Sequence, residues 1–183
     1  HDPAGDGFKG YINRGSTMSL NVISFMVENK PGVLFNISNT IRRKNFNIHS
    51  ITAIAGEHQD TTRITITSKA DAQEIDKLVE QMDKMIDVIR VKRLDPLRTI
   101  QRDMALVKLH TADPMAQEEA LEIINKYKGL ILDIKPDTII AQITGSVNEV
   151  TEFHEEVGYI GIIESARTGI TAIEKGWVTL MET

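Results

Sequence analysis

The 183-residue sequence contains no cysteine, which excludes disulfide bonds and thiolate chemistry. Its apolar runs fall well short of the roughly 18 residues that a membrane-spanning helix needs. The formal net charge is −5, and a surplus of acidic groups is unfavourable for a surface that binds nucleic acid. We therefore expect a cytoplasmic protein with neither a membrane nor a nucleic acid among its partners.

Sequence motifs for catalysis and for cofactor binding are also missing. There is no nucleophile elbow, no phosphate-binding loop and no dinucleotide fingerprint. The five histidines are scattered, and no pair of them has the spacing of metal ligands. We therefore expect no catalytic residues, no metal site and no cofactor in this chain.

From residue 19 onwards, strand and helix patterns alternate, and the same order occurs twice. The first round predicts strands at 22–27, 48–55, 62–67 and 88–94, a helix at 33–44, and a second helix that Asp71 and Glu74 cap. The second round predicts strands at 104–109, 130–134, 138–143 and 160–166, with helices that begin near Pro114 and Ser146. The predicted fold class is α+β, with two tandem ferredoxin-like βαββαβ domains.

The boundaries follow from breaks in this pattern. We assign 18–95 to the first domain, 96–102 to a linker, 103–176 to the second domain and 177–183 to a tail. Residues 1–17 are rich in Gly, Asp and Asn, and we interpret them as sequence added for expression, with Met18 as the natural start. Trp177 either lies close to sequence added for expression or serves as an interface anchor.

The loop after the first strand is the candidate binding site. Pro31 suits the first turn of a helix, and Gly32 lets other groups approach the backbone closely. Free amide N–H groups and the positive end of the helix dipole, at Gly32, Val33 and Leu34, would then suit a carboxylate. The alternative is a purely structural strand-to-helix turn that binds no ligand.

Two asparagines add polar groups to this candidate site. Asn29 precedes the helix and Asn47 follows it, just before Ile48, and we expect both to lie beside the same helix start. Each amide could offer an oxygen to an ammonium group and an NH2 to a carboxylate, as a zwitterionic amino acid requires. However, asparagine is also common as a helix cap and in turns, so both residues could have these structural roles without binding a ligand. The second domain has no glycine after Pro114, so we expect one site per chain.

These residues also carry a resemblance. Asn29-x-Pro31-Gly32-Val33-Leu34 with Asn47-Ile48 resembles the ligand loop of an ACT domain. Further segments, in order, resemble the small, regulatory subunit of acetolactate (acetohydroxyacid) synthase. They are Phe46 to Thr52, Arg63 to Ile66, Arg102 to Lys108, and Ala166-Arg167-Thr168-Gly169-Ile170. The resemblance spans about residues 19–176.

The resemblance implies a function as well as a fold. It implies a homodimer through the first, ACT domain, a catalytic large subunit as partner, and a branched-chain amino acid, valine first, as effector. Thiamin diphosphate, magnesium and FAD would belong to the catalytic partner. The alternatives are a stand-alone amino-acid sensor, a metal-responsive regulator, which the missing ligands disfavour, and an independent enzyme.

Overall fold

The computed structural model describes residues 20–44, 46–56 and 60–182, and these residues form two α+β units. The prediction for residues 1–17 and Met18 lies outside the described residues. No helix in the described part of the chain is long and apolar enough to cross a membrane.

The first unit has the predicted βαββαβ order. Its elements are β1 (Asn21–Glu28), α1 (Val33–Arg43), β2 (Ile48–Ala55), β3 (Thr61–Ser68), α2 (Ala72–Met82) and β4 (Val88–Leu94). The strands form an antiparallel sheet in the order β2-β3-β1-β4, so β2 is an edge strand that pairs with β3 alone among the described strands. The apolar faces of both helices pack on this sheet around Ile23, Phe25 and Ile64.

The start of α2 has the cap that the sequence predicts. Asp71 accepts a hydrogen bond from the Glu74 N–H (2.9 Å), and the Glu74 side chain accepts one from the Asp71 N–H (3.3 Å), which confirms the predicted capping box. From that cap, Ile75, Leu78 and Met82 fall on one face and are buried.

The second unit repeats the architecture. Its elements are β5 (Thr99–His110), α3 (Pro114–Lys126), β6 (Leu130–Ile134), β7 (Thr138–Gly145), α4 (Val147–Val157) and β8 (Ile162–Arg167). The sheet order is β6-β7-β5-β8, again antiparallel. Its core surrounds Phe153, which meets Tyr127 edge to face with ring centroids 5.6 Å apart. The prediction of two ferredoxin-like units is therefore confirmed.

The region between the units differs from the predicted linker over 96–102. A 3₁₀ turn covers Pro96–Arg98, and β5 already begins at Thr99. The reason is an additional short strand, β9 (Thr171–Glu174), which pairs with Thr99–Arg102 as an antiparallel two-stranded ribbon. Four residues carry too little periodicity to predict such a strand from sequence.

The ribbon holds the two units together. Val22 and Leu94 of the first sheet pack with Ile170 and Ala172 in a small buried cluster. The Arg63 guanidinium donates to the Ala172 carbonyl oxygen (2.8 Å). The second unit therefore packs on the face of the first sheet that is opposite α1 and α2.

Candidate functional site

The loop between β1 and α1 is a tight turn. The Val33 N–H donates to the Lys30 carbonyl oxygen (3.3 Å), and Gly32 has φ 89° and ψ −14°. A proline followed by a left-handed glycine is the signature of a type II turn. Pro31 therefore lies in the turn before the helix, which corrects its predicted place in the first helical turn. Its fixed φ suits that position equally well.

The start of α1 has no capping side chain. The N-cap is Gly32, the first turn contains no acidic residue, and the first helical bond runs from the Asn36 N–H to the Gly32 oxygen (2.9 Å). The N–H groups of Leu34 and Phe35 accordingly have no partner among the described residues. An ideal Cβ on Gly32 would have nothing within 4 Å, so the space beside Gly32 is open.

The other three α-helices in the described part of the chain differ in this respect. Each has an N-cap side chain that accepts a hydrogen bond from the backbone N–H three residues later: Asp71 for α2, Asp113 for α3 and Ser146 for α4. In the second unit, the carboxylate of Asp113 therefore occupies the place where α1 offers free donors. Among the α-helices that the structure describes, α1 is thus the one without a capping side chain, and one effector site per chain stays a prediction.

The remaining predicted residues of this loop are held in different ways. The Asn29 N–H donates to the Asp60 carbonyl oxygen (2.8 Å), and its side chain is exposed. Val33 is buried in the core, so it is not free to contact a ligand, whereas Leu34 is half exposed. Beside the loop, Glu28 binds the Lys30 ammonium (2.7 Å) and raises the pKa of Lys30. Asn29, Pro31, Gly32 and Leu34 thus form an accessible surface.

Asn47 and Ile48 lie at the opposite end of the same unit. Ile48 is level with Ser68 in the sheet, and Ser68 pairs with Asn21 at the beginning of β1, whereas Asn29 follows the end of β1. At about 3.3 Å per residue, the seven steps along β1 separate the two ends by about 23 Å. The expectation that both asparagines flank one helix start is therefore wrong within a single chain, because the whole of α1 separates them.

An open cleft lies at this second end. Its volume is about 470 Å³, and its lining includes Asn47, Ile48 and the cations Lys44 and Lys69. The Ser68 hydroxyl donates to the Asn47 carbonyl oxygen (2.9 Å) and fixes the backbone there. Burial lowers the pKa of His49, which also lines the cleft, and the nearby charges of Lys69 and Arg167 add to the effect.

The Ala166-Arg167-Thr168-Gly169 segment docks on β2. Asp103 is buried and bonds to Arg167, while the Thr168 carbonyl oxygen accepts a hydrogen bond from the Thr52 hydroxyl (3.0 Å). Gly169 has φ +79°, and a Cβ there would lie 3.0 Å from the Ser50 Cβ. The segment therefore joins the second unit to the strand that Asn47 and Ile48 begin.

The structure also reveals a serine–histidine pair that the sequence did not indicate. His154 Nε2 and the Ser165 hydroxyl oxygen are 2.5 Å apart, and His154 Nδ1 lies 3.1 Å from the Val150 carbonyl oxygen. With the proton on Nδ1, that nitrogen donates to the carbonyl and Nε2 accepts from the hydroxyl. Burial lowers the pKa of His154; Arg167 acts in the same sense, and the bond to Val150 opposes them. The pair ties α4 to β8.

Metal ligands do not gather anywhere in the described part of the chain. No group of three or more His, Cys, Asp or Glu side chains there is placed to hold an ion.

Known proteins resemble both units. A family model described as the AHAS small subunit-like ACT domain matches residues 23–90. A second model, described as the small subunit of acetolactate synthase, matches residues 102–176.

Individual relatives match over most of their length. The chain is 35% identical over 160 residues to a probable acetolactate synthase small subunit of Methanothermobacter thermautotrophicus, which covers 87% of this chain and 95% of the relative. A Bacillus subtilis acetolactate synthase small subunit is 33% identical over 156 residues, covering 85% of this chain and 90% of the relative. The crystal structure of the Thermotoga maritima small subunit aligns with a TM-score of 0.80 at 31% identity, covering 87% of this chain and 99% of that one.

Proposed function

Because the chain belongs to the family of acetolactate synthase small subunits, we propose that it activates a catalytic large subunit and mediates its feedback inhibition by a branched-chain amino acid. The observation that carries the effector proposal is the start of α1, where the N–H groups of Leu34 and Phe35 have no partner among the described residues and the space beside Gly32 is open. A carboxylate is the ligand that such donors favour.

The effector site needs two chains. The β2 strand has an open edge with exposed Ile51 and Ile54, and an unpaired apolar edge is a template for another strand. Two copies of β2 that pair antiparallel about a two-fold axis bring the start of one strand beside the end of the other. Asn47 of the partner subunit then lies near Asn29 and Gly32, and the separation of about 23 Å within one chain is bridged.

Each group of the ligand has a counterpart in this dimer. The N–H groups of Leu34 and Phe35 hold the carboxylate, and the amide oxygens of Asn29 and of the partner's Asn47 accept from the ammonium group. Leu34 and the partner's Ile48 bound the aliphatic side chain. We propose valine as the main effector, with partial discrimination, because one methylene contributes only about 1–3 kcal/mol.

The same dimer gives a route to inhibition. A ligand shared by two chains favours the arrangement in which the two ACT domains hold it together. Thr168 and Gly169 contact β2 directly, so a shift of that strand is passed to the second unit. The catalytic cofactors, thiamin diphosphate, magnesium and FAD, belong in this proposal to the large subunit alone, and the chain itself is non-catalytic. A cytoplasmic location stays a prediction.

The first experiment is a calorimetric titration with valine, leucine, isoleucine and serine. We expect branched-chain binding that Asn29→Ala and Asn47→Ala each abolish, and that Asn148→Ala, an exposed asparagine on α4, leaves unchanged. Serine binding as tight as that of valine would refute the aliphatic pocket.

A mixed dimer tests the shared site. When one chain carries Asn29→Ala and the other Asn47→Ala, one of the two sites keeps both asparagines, so we expect half of the wild-type stoichiometry. If both asparagines came from one chain, this heterodimer would have no intact site and would bind nothing. Co-purification with the large subunit distinguishes the regulatory subunit from a stand-alone sensor.

A further inference from the structure

The edge strand β6 of the second sheet is apolar on both of its faces. It pairs with β7 alone among the described strands, and the sequence of its five residues is LILDI. Ile131 and Ile134 pair with core residues of β7, so they lie on the side of the helices, whereas Leu130 lies on the opposite side. Leu132 falls at a shift of the register and has no partner on β7. These four side chains are between 43% and 58% exposed.

An edge strand of this composition is unusual. Native proteins protect the edges of their sheets with charged side chains, because an unprotected edge pairs readily with another strand. The edge strands β4 and β8 follow this rule, with Arg90 on β4 and Glu164 on β8. The single charge on β6 is Asp133, whose carboxylate lies 3.7 Å from the Lys135 ammonium, so the ion pair neutralises it. The strand therefore has the properties of a covered strand at an open edge.

The helix beside β6 extends the apolar surface. The side-chain amide of Gln117 on α3 donates to the Lys135 carbonyl oxygen (3.3 Å), so this side of α3 runs along β6. Leu121 lies one turn further on the same side and is half-buried against the core. We name the apolar residues of this surface the β6 edge: Leu121, Leu130, Ile131, Leu132 and Ile134.

The β6 edge is complementary to a second copy of itself. When two copies of one strand pair antiparallel about a two-fold axis, one residue lies opposite its own copy. With Leu132 in that place, all five residues of each strand are paired, and Asp133 lies opposite Ile131 of the partner subunit. A centre at Asp133 would instead place two carboxylates opposite each other, which is unfavourable. The register centred on Leu132 is therefore favoured.

The charges at the two ends of β6 favour the same pairing. Lys128 precedes the strand by two residues, and Asp137 follows it by three. Both are exposed, and neither forms an ion pair among the described residues. Antiparallel pairing brings the start of one strand beside the end of the other, so Lys128 of each chain lies near Asp137 of the partner subunit. The two-fold axis provides this attraction twice.

We infer that a second copy of this chain pairs with the β6 edge, so that the two second-unit sheets continue into one another. This contact goes beyond the proposed function, because the dimer proposed there uses β2, the edge of the other sheet. Five paired residues on each strand form a small contact, so we expect reversible association. A chain with two different two-fold contacts assembles beyond the dimer.

Sedimentation velocity of the full chain at increasing concentration tests the contact. Wild type should form larger species than Leu132→Lys does, because a lysine on an exposed edge blocks strand pairing without disturbing the core. We expect this substitution to raise the dissociation constant of the β6 contact at least about tenfold. The matched control is Ile163→Lys on the opposite edge strand β8. Ile163 is 54% exposed against 53% for Leu132, and it also falls at a shift of the register. The control should assemble like wild type.

An exchange of the end charges tests whether the partner is a second copy. Lys128→Asp and Asp137→Lys, each alone, place like charges near each other and should each weaken association about two- to fivefold. The two substitutions in one chain restore opposite charges, so association should return to within about twofold of wild type. A doubly exchanged chain that associates no better than the single variants would overturn the pairing.

The remaining outcomes separate the β6 contact from the proposed dimer. Wild type that forms no larger species than Leu132→Lys, or Ile163→Lys that weakens association as much as Leu132→Lys, overturns the β6 contact. Calorimetric titration with valine should be unchanged in Leu132→Lys and lost in Ile54→Lys, because the proposed effector site depends on pairing through β2. Full valine binding by Ile54→Lys would contradict the proposed dimer and leave the β6 contact intact.

Discussion

Replacing Gly32 by aspartate should separate folding from effector binding. The glycine has φ +89°, a backbone conformation that costs most other residues about 1–2 kcal/mol, although aspartate and asparagine tolerate it better. The space around the position is open, so no clash adds to this cost. A negative charge at a helix N-terminus stabilises the helix by about 0.3–1 kcal/mol, which offsets part of this cost. We expect a folded protein whose free energy of unfolding falls by no more than about 1 kcal/mol.

The effect on binding should be larger than the effect on stability. The new carboxylate would lie beside the N–H groups of Leu34 and Phe35, where the carboxylate of valine is proposed to bind. Two like charges about 4 Å apart repel by about 1 kcal/mol in water and by about 4 kcal/mol at an effective dielectric constant of 20. The dissociation constant for valine should therefore rise by a factor between about 5 and nearly 1,000.

The matched control is Gly32→Asn. Asparagine has the same shape as aspartate and tolerates the same backbone conformation, but it carries no charge. Calorimetric titration with valine should find Gly32→Asn within severalfold of wild type and Gly32→Asp at least about fivefold weaker than Gly32→Asn. Equal affinities for the two variants would refute the carboxylate site at the start of α1.

Two further predictions concern the second unit. Gly169→Ala should lower the free energy of unfolding in urea by about 1–3 kcal/mol more than Gly176→Ala does. Both glycines have positive φ (79° and 75°), but only a Cβ at position 169 would lie against Ser50. Equal losses of stability in the two variants would contradict the close contact. The depressed pKa of His154 means that the unfolded state binds protons more readily, so this residue's contribution to stability is present above about pH 6.5 and is lost as the pH falls through its folded-state pKa. His154→Gln should therefore flatten the dependence of unfolding free energy on pH below about pH 6.5, leaving the part due to His49, whereas an unchanged slope would exclude His154 as its source.

Much of the fold was predictable because its helices and strands depend on local sequence patterns. The helix that Asp71 and Glu74 cap, the helix that begins near Ser146, and the strand at Ile48–Ala55 were all predicted and are all present. Helix periodicity and side-chain caps depend on residues three or four positions apart, so the sequence alone reveals them. The resemblance to the acetolactate synthase small subunits is likewise confirmed.

Contacts between distant segments could not be predicted in this way. The sequence determined that Asn29 precedes α1 and that Asn47 follows it, but only the register of β1, β2 and β3 decided that they lie at opposite ends of the sheet. The ribbon of Thr99–Arg102 with Thr171–Glu174 and the approach of Gly169 to Ser50 join segments about 70 and 119 residues apart. Such contacts leave no local period, because their energy comes from burial and hydrogen bonds between elements that already exist. The sequence by itself therefore determined the longer helices and strands and the residue types in the loop before α1, and the tertiary structure decided which groups can meet.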